Sequence, residues 1–293
     1  MLHTMNRSVR RAVIGAIGLV LAAVALGVSG AAPPLWTGRT ENAAATEPLK
    51  TFPLFARYAT GGKLRAYEPN GTGGLKAAFD LGAGFGDATA IAAANISEGG
   101  RGNDLYHRMN NNLFYTAEHS NDTKLIGGGW DIYDRIFTVG NMGGTADVDL
   151  AARDASGNLW LYQGKPDGTL AARIRIGTGW GGLTLLGRGD FTGDGKADIL
   201  ARSTDGTLAV YPGTGTATAD AVVGARRVIG TGWQAYKTLA SAGDTDGDGK
   251  ADLIAADTAG ALWLFKGTGN AAAPFAPRVQ IGTSGWAAFD VLF

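Results

Sequence analysis

Residues 176–215 read IGTGWGGLTLLGRGDFTGDGKADILARSTDGTLAVYPGTG. Three short apolar runs, LTLLG, ADILAR and TLAVY, are separated by turns of Gly, Asp, Ser and Thr. That is the pattern of successive antiparallel strands. A fourth run, RRVIG at 226–230, leads into a second GTGW, and the unit starts again. Four strands in about 50 residues is the arithmetic of one propeller blade.

Outward from this unit the same elements recur. The Gly-aromatic turn appears as LGAGF (81–85), IGGGW (126–130), IGTGW (176–180 and 229–233) and IGTSGW (281–286). The second strand recurs as DLYHR (104–108), DVDLAAR (147–153), ADILAR (197–202) and ADLIAA (251–256). The third recurs as NLFY, NLWLY, TLAVY and ALWLF. The ends complete each other. LFAR (54–57), KLRAY (63–67) and LKAAFDLG (75–82) are second, third and fourth strands without a first, and WAAFDVLF (286–293) is a first strand with nothing after it. The expectation is an all-β, five-bladed β-propeller of four-stranded blades over residues 53–293, with the C-terminal strand closing the ring. Closure removes a sheet edge that would otherwise pair with other chains. A Trp at each blade start is expected to fill the gap between blades; stacking on a sugar ring is the alternative. The stretch GTGWGG (Gly177, Gly179, Gly182) matches a dinucleotide fingerprint in letters, but it leads into a strand rather than a helix.

Composition narrows the function classes. The chain has 293 residues, 47 of them Gly, no Cys, and 26 basic residues against 26 acidic ones. The absence of Cys excludes disulfides, Cys-ligated zinc and a thiol nucleophile. Balanced charge removes the basic footprint of a nucleic-acid binder. Residues 1–32 are expected to be a secretory signal peptide: Arg7, Arg10 and Arg11 precede an uncharged run from Ala12 to Ala32. An uncleaved membrane anchor is the alternative, since the run is long enough to span a bilayer. Either way the propeller is expected outside the cytoplasm, secreted or membrane-anchored. Residues 33–52, rich in Pro, Ala and Thr, are expected to be a linker.

The strongest chemical signal lies between the first and second strands. One loop reads Asp244-Thr-Asp246-Gly-Asp248-Gly-Lys250-Ala-Asp252, and its neighbour Asp190-Phe-Thr192-Gly-Asp194-Gly-Lys196-Ala-Asp198. Oxygen ligands at positions 1, 3, 5 and 9, with the backbone carbonyls of Lys250 and Lys196 at position 7, suit a hard, large cation. Carboxylates so crowded call for a counter-ion, and Ca2+ is expected at two structural sites. An EF-hand would need a Glu at position 12, where Ala255 and Ala201 stand. The loop from Asn141 to Asp149 has lost most ligands and is expected to bind no ion; the longer loop after Asn95 permits no assignment.

The segment GDFTGDGKADILARSTDGTLAVYPGTG (189–215) resembles the FG-GAP/VCBS-type repeats of bacterial secreted proteins, related to the calcium-loop blades of the integrin α-chain propeller. The resemblance covers about residues 53–293 and implies a propeller whose loop aspartates bind calcium. Integrin-like propellers usually have seven blades, too many for this length. The five-unit count and the IGxGW element are also similar to the five-bladed tachylectin-like lectins, from which no sugar-binding residue is transferred.

The expected function is non-catalytic binding of a glycan or an extracellular protein by a monomeric module. The alternatives are a propeller-scaffold hydrolase or lyase, and a purely structural surface protein. No G-x-S-x-G or H-E-x-x-H motif is present. His107 and His119, near Asp104, form the least repetitive patch; they are expected to be exposed, and catalysis would be sought there first. The arginine after the second strand (Arg57, Arg108, Arg153, Arg202, with Ala256 in the last unit) is expected to pair with an Asp of a neighbouring blade.

Overall fold

A computed structural model describes residues 51–97, 104–118 and 123–293. The expected leader, all but the last two residues of the expected linker, and His119 lie outside the described residues. The chain enters with β1 (Leu54–Tyr58), β2 (Leu64–Tyr67) and β3 (Phe79–Gly82). Four complete blades follow. The first is β4 (Ala88–Ala94), β5 (Asp104–Met109), β6 (Asn112–Thr116) and β7 (Thr123–Gly127). The second is β8 (Tyr133–Gly140), β9 (Asp149–Asp154), β10 (Leu159–Tyr162) and β11 (Ile174–Gly177). The third is β12 (Thr184–Gly189), β13 (Asp198–Arg202), β14 (Leu208–Tyr211) and β15 (Arg227–Gly230). The fourth is β16 (Tyr236–Ala240), β17 (Leu253–Asp257), β18 (Leu262–Phe265) and β19 (Val279–Gly282), after which β20 (Phe289–Leu292) ends the chain.

Each blade is a four-stranded antiparallel sheet in sequence order, and the fifth is the composite β20-β1-β2-β3. The ring closes as the sequence predicts. Ala56 pairs with Leu292 and Arg57 with Val291, and Phe55 and Phe293 exchange backbone hydrogen bonds of 2.8 and 3.0 Å. The chain touches the ring slightly before the expected boundary: the Phe52 N–H donates to the Ala242 carbonyl, and the Thr51 hydroxyl to the Asp244 carbonyl.

The core is five apolar clusters, one between each pair of blades. Trp130, Trp180 and Trp233 are buried in three of them, Phe85 in a fourth, and Trp286 lies partly buried against the fifth. The gap-filling role therefore holds. The local geometry explains the recurring glycine: the residue just before each Trp is left-handed, with φ of 81° at Gly129 and Gly179, 86° at Gly232 and 92° at Gly285. An L side chain there costs about 1 kcal/mol or more. The turn so formed lets the Trp N–H reach back to a hairpin carbonyl of the preceding blade: Trp180 to Gly157, Trp233 to Gly206 and Trp286 to Gly260, at 2.9–3.1 Å. One recurring local shape thus serves both packing and blade-to-blade bonding.

Candidate calcium loops and the groove between blades

The two acidic loops sit where β12 passes to β13 and β16 to β17. Asp190, Asp194 and Asp198 bring one carboxylate oxygen each within 4.8 Å of the others, and so do Asp244, Asp246 and Asp252. Backbone donors shape the turns. Asp190 accepts from the N–H groups of Gly193 (2.6 Å) and Gly195 (2.7 Å), and Asp244 from those of Gly247 (2.7 Å) and Gly249 (2.9 Å). Thr192, expected as a ligand at position 3, is buried and its hydroxyl donates to Asp190 at 3.5 Å. Asp248 stands apart from the second trio: its carboxylate accepts from its neighbour Lys250, whose Nζ lies at 3.2 Å. Lys266 lies 2.9 Å from Asp246. Lys196 donates its backbone N–H to Asp194 at 3.0 Å.

The aspartate at position 9 has a second task that the sequence does not announce. Asp198 accepts from the N–H groups of Phe191, Thr192 and Gly213, each at 2.9 Å. Asp252 accepts from Thr245 and Gly267. The same position in the ligand-poor blades does the same work. Asp149 accepts from Met142, Gly143 and Gly164. Asp104 accepts from Ile96, Ser97 and Glu118, and from the Tyr115 hydroxyl. This carboxylate ties the loop to the sheet in all four complete blades, with or without acidic companions. The shared register before DLYHR and DLAAR was the available signal. Asp198 is pushed up to about 7, by burial first and then by the charges of Asp190 and Asp194, against the Gly213 N–H. Burial likewise pushes Asp252 up to about 6 and Asp149 up to about 6. A cation beside Asp198 and Asp252 would relieve that penalty, and a donor set of carboxylate and carbonyl oxygens fits a hard ion.

The recurrent arginine departs from expectation. Its main partners are backbone carbonyls of the next blade, not an Asp there. Nη1 of Arg202 donates to the carbonyls of Trp233 and Tyr236, at 3.0 and 2.5 Å. Arg153 reaches Trp180 and Leu183 in the same way, Arg108 reaches Trp130 and Tyr133, and Arg57 reaches Phe85 and Ala88. The carboxylates that join in, Asp134 beside Arg153 and Asp290 beside Arg57, belong to the arginine's own blade. Carbonyl acceptors carry no letter in a sequence, which is why the partner was missed.

His107 is a second correction. It is buried, 2% exposed, stacked on Phe114 at 5.5 Å and edge-on to Phe85 at 6.0 Å. Its Nδ1 has no hydrogen-bond partner, and burial pushes its pKa down to about 4. The Asp104 carboxylate is held by its loop instead.

Between the first and second blades an open groove of about 350 Å³ runs along Trp130, Tyr133, Tyr162, Leu170 and Arg173. Trp130 lies 4.7 Å from the Tyr162 ring, and the Tyr133 and Tyr162 hydroxyls are 2.5 Å apart. Arg173 donates to the Tyr133 hydroxyl at 2.7 Å and stacks over Trp160 at 4.1 Å. The arrangement repeats two blades on: Arg278 donates to the Tyr236 hydroxyl at 2.6 Å, stacks over Trp263 at 4.0 Å, and Trp233 lies 4.7 Å from Phe265.

Comparison with known proteins bears on the fold and the repeat. No curated protein matches the sequence. Among solved structures, one obtained in a study of the de novo evolutionary emergence of a symmetrical protein has a TM-score of 0.56 at 18% identity, covering 82% of this chain and 97% of its own. A mutant of AofleA from Arthrobotrys oligospora has a TM-score of 0.44 at 11% identity, covering 81% and 74%. A protein of unknown function from Bacteroides caccae has 0.38 at 11%, covering 80% and 73%. Residues 144–201 and 190–255 match the FG-GAP-like repeat family. The chain is a five-bladed β-propeller with FG-GAP-like repeats in its second to fourth blades.

Proposed function

We propose that this protein is a secreted, calcium-stabilised, non-catalytic binding module that takes a glycan or an extracellular protein, with a glycan favoured. The observation that carries the binding reading is the groove in which half-buried Tyr162 and exposed Arg173 stand over the buried Trp130. Aromatic faces beside a fixed guanidinium offer C–H contacts to a sugar ring and donors to its hydroxyls. Its recurrence at Phe265, Trp263 and Arg278 supports low-affinity sites acting together on a repetitive ligand, because effective concentration raises the strength of each added contact. Calcium would be held by Asp190, Asp194 and Asp198 and by Asp244, Asp246 and Asp252, with Asp248 joining after release from Lys250. There it would neutralise crowded carboxylates and stiffen the loops on one face of the ring. A glycan array probed with the purified protein, with calcium and with chelator, tests this reading. Binding to a defined class of glycans supports it; a blank array under both conditions moves the assignment to a protein partner or a structural role.

A further inference from the structure

The first strand of every blade faces the ring axis, and residues of β4, β8, β12, β16 and β20 line a cavity of about 30 Å³ there. Its wall is mostly apolar, with Ala92, Phe137, Leu186, Ala240 and Leu292 among the lining. Two arginines, Arg135 and Arg188, also line it, and no acidic residue does. They lie towards opposite ends of the inner strands, since Arg135 pairs with Arg153 while Gly189, next to Arg188, pairs with Asp198.

Arg188 is the anomaly. It is 8% exposed, and neither Nη1 nor Nη2 has a hydrogen-bond partner. Its guanidinium stacks over the Phe52 ring at 4.0 Å, and no ion pair reaches it among the described residues. The other blades show what packing by itself would choose here. Two residues before the loop's first ligand position, where Arg188 precedes Asp190, stand Val139 and Ala242, both fully buried. The backbone is equally unusual. Arg188 is left-handed with φ 70°, whereas in the two flanking blades that conformation falls one residue later, on Gly140 and Gly243. An unpaired buried charge and a left-handed non-glycine residue each cost free energy, and they coincide at one position of one blade.

We propose that the axial cavity is a binding site for a small monovalent anion of halide size, held by Nη1 and Nη2 of Arg188. The ion satisfies the two idle nitrogens, balances the buried guanidinium, and explains an arginine where the flanking blades carry Val139 and Ala242. The volume sets the class: about 30 Å³ is roughly twice what one water requires, enough for chloride or bromide and too little for a phosphate ester or an organic acid. Phe52 covers the guanidinium from the side of the acidic loops, so the chain's entry segment shields the ion from solvent.

The test is thermal unfolding of the full chain in sodium chloride or bromide against sodium gluconate, at equal ionic strength and constant calcium. Gluconate is too large for the cavity. The expected result is a midpoint about 2–4 °C higher in halide, lost in Arg188→Leu when each protein is compared with its own midpoint in gluconate. A bromide-soaked crystal of the unmutated protein is expected to give an anomalous peak beside Arg188, a readout independent of any variant. Equal midpoints in halide and gluconate, a halide response that survives Arg188→Leu, or no bromide at Arg188 would each overturn the proposal.

Discussion

The Nζ of Lys237 donates to the carbonyl oxygen of Phe289 at 2.9 Å, across the seam where the fourth blade meets the closing strand. It also reaches the Ala287 carbonyl at 2.8 Å. At the other four junctions an arginine of the second strand performs this stapling, but here that position is Ala256. A lysine on the inner strand takes one of the two acceptors an arginine has at the other junctions, the carbonyl of Phe289, and Ala287 in place of Trp286.

Lys237→Ala is therefore expected to loosen the closing seam. The bonds are partly exposed, so the loss is about 1 kcal/mol, read as a lower denaturant midpoint and as faster amide exchange in residues 286–293. Arg202→Met, which strands two less exposed carbonyls, is expected to cost about 2 kcal/mol. Equal effects of both substitutions on the whole ring would contradict a seam-specific role for Lys237.

Calcium is expected to raise the unfolding midpoint. With a dissociation constant near that of extracellular modules, about 10⁻⁴ M, and 10 mM calcium, the gain is about 2–3 kcal/mol per site. That corresponds to about 5–10 °C for a single site in a domain of this size. Asp190→Ala combined with Asp244→Ala is expected to abolish the response, and a melting curve indifferent to chelator in the unmutated protein would refute both sites.

Acid sensitivity is expected to trace in part to His107. Its folded pKa, about 4, lies below its unfolded value of about 6.5. A depressed histidine contributes stability that is full above pH 6.5 and is lost as pH falls towards 4, because only the unfolded chain takes up the proton. His107→Phe is expected to flatten that limb by up to about 3 kcal/mol, measured as chemical denaturation midpoints between pH 4 and 7. Parallel curves for the two proteins would show that His107 does not titrate this way.

Arg173→Met is expected to leave the melting midpoint within about 1 °C, since the side chain is exposed and the substitution keeps its stem. Glycan signal from the groove is expected to fall severalfold. Unchanged binding would place the ligand elsewhere on the ring.

The blade count, the strand positions, the closing strand and the two acidic loops were legible in the sequence, because each is written locally. Gly before Trp130, Trp180, Trp233 and Trp286 reports a left-handed turn, and the aspartates of 190–198 and 244–252 report crowded oxygens, whatever surrounds them. What only the tertiary structure decided is what lies across a gap. The arginines staple to carbonyls, which every residue possesses and no letter marks. Asp104 and Asp149 anchor loops that have lost their acidic partners, and His107, read as exposed, is wedged between two phenylalanines. Arg188 reads as one more polar letter near a turn until five strands place it on the axis. A repeat fixes its own turns through short-range sterics, but the partners of the stapling arginines stand 22 to 34 positions away, in the next blade, and only the packed ring brings them together.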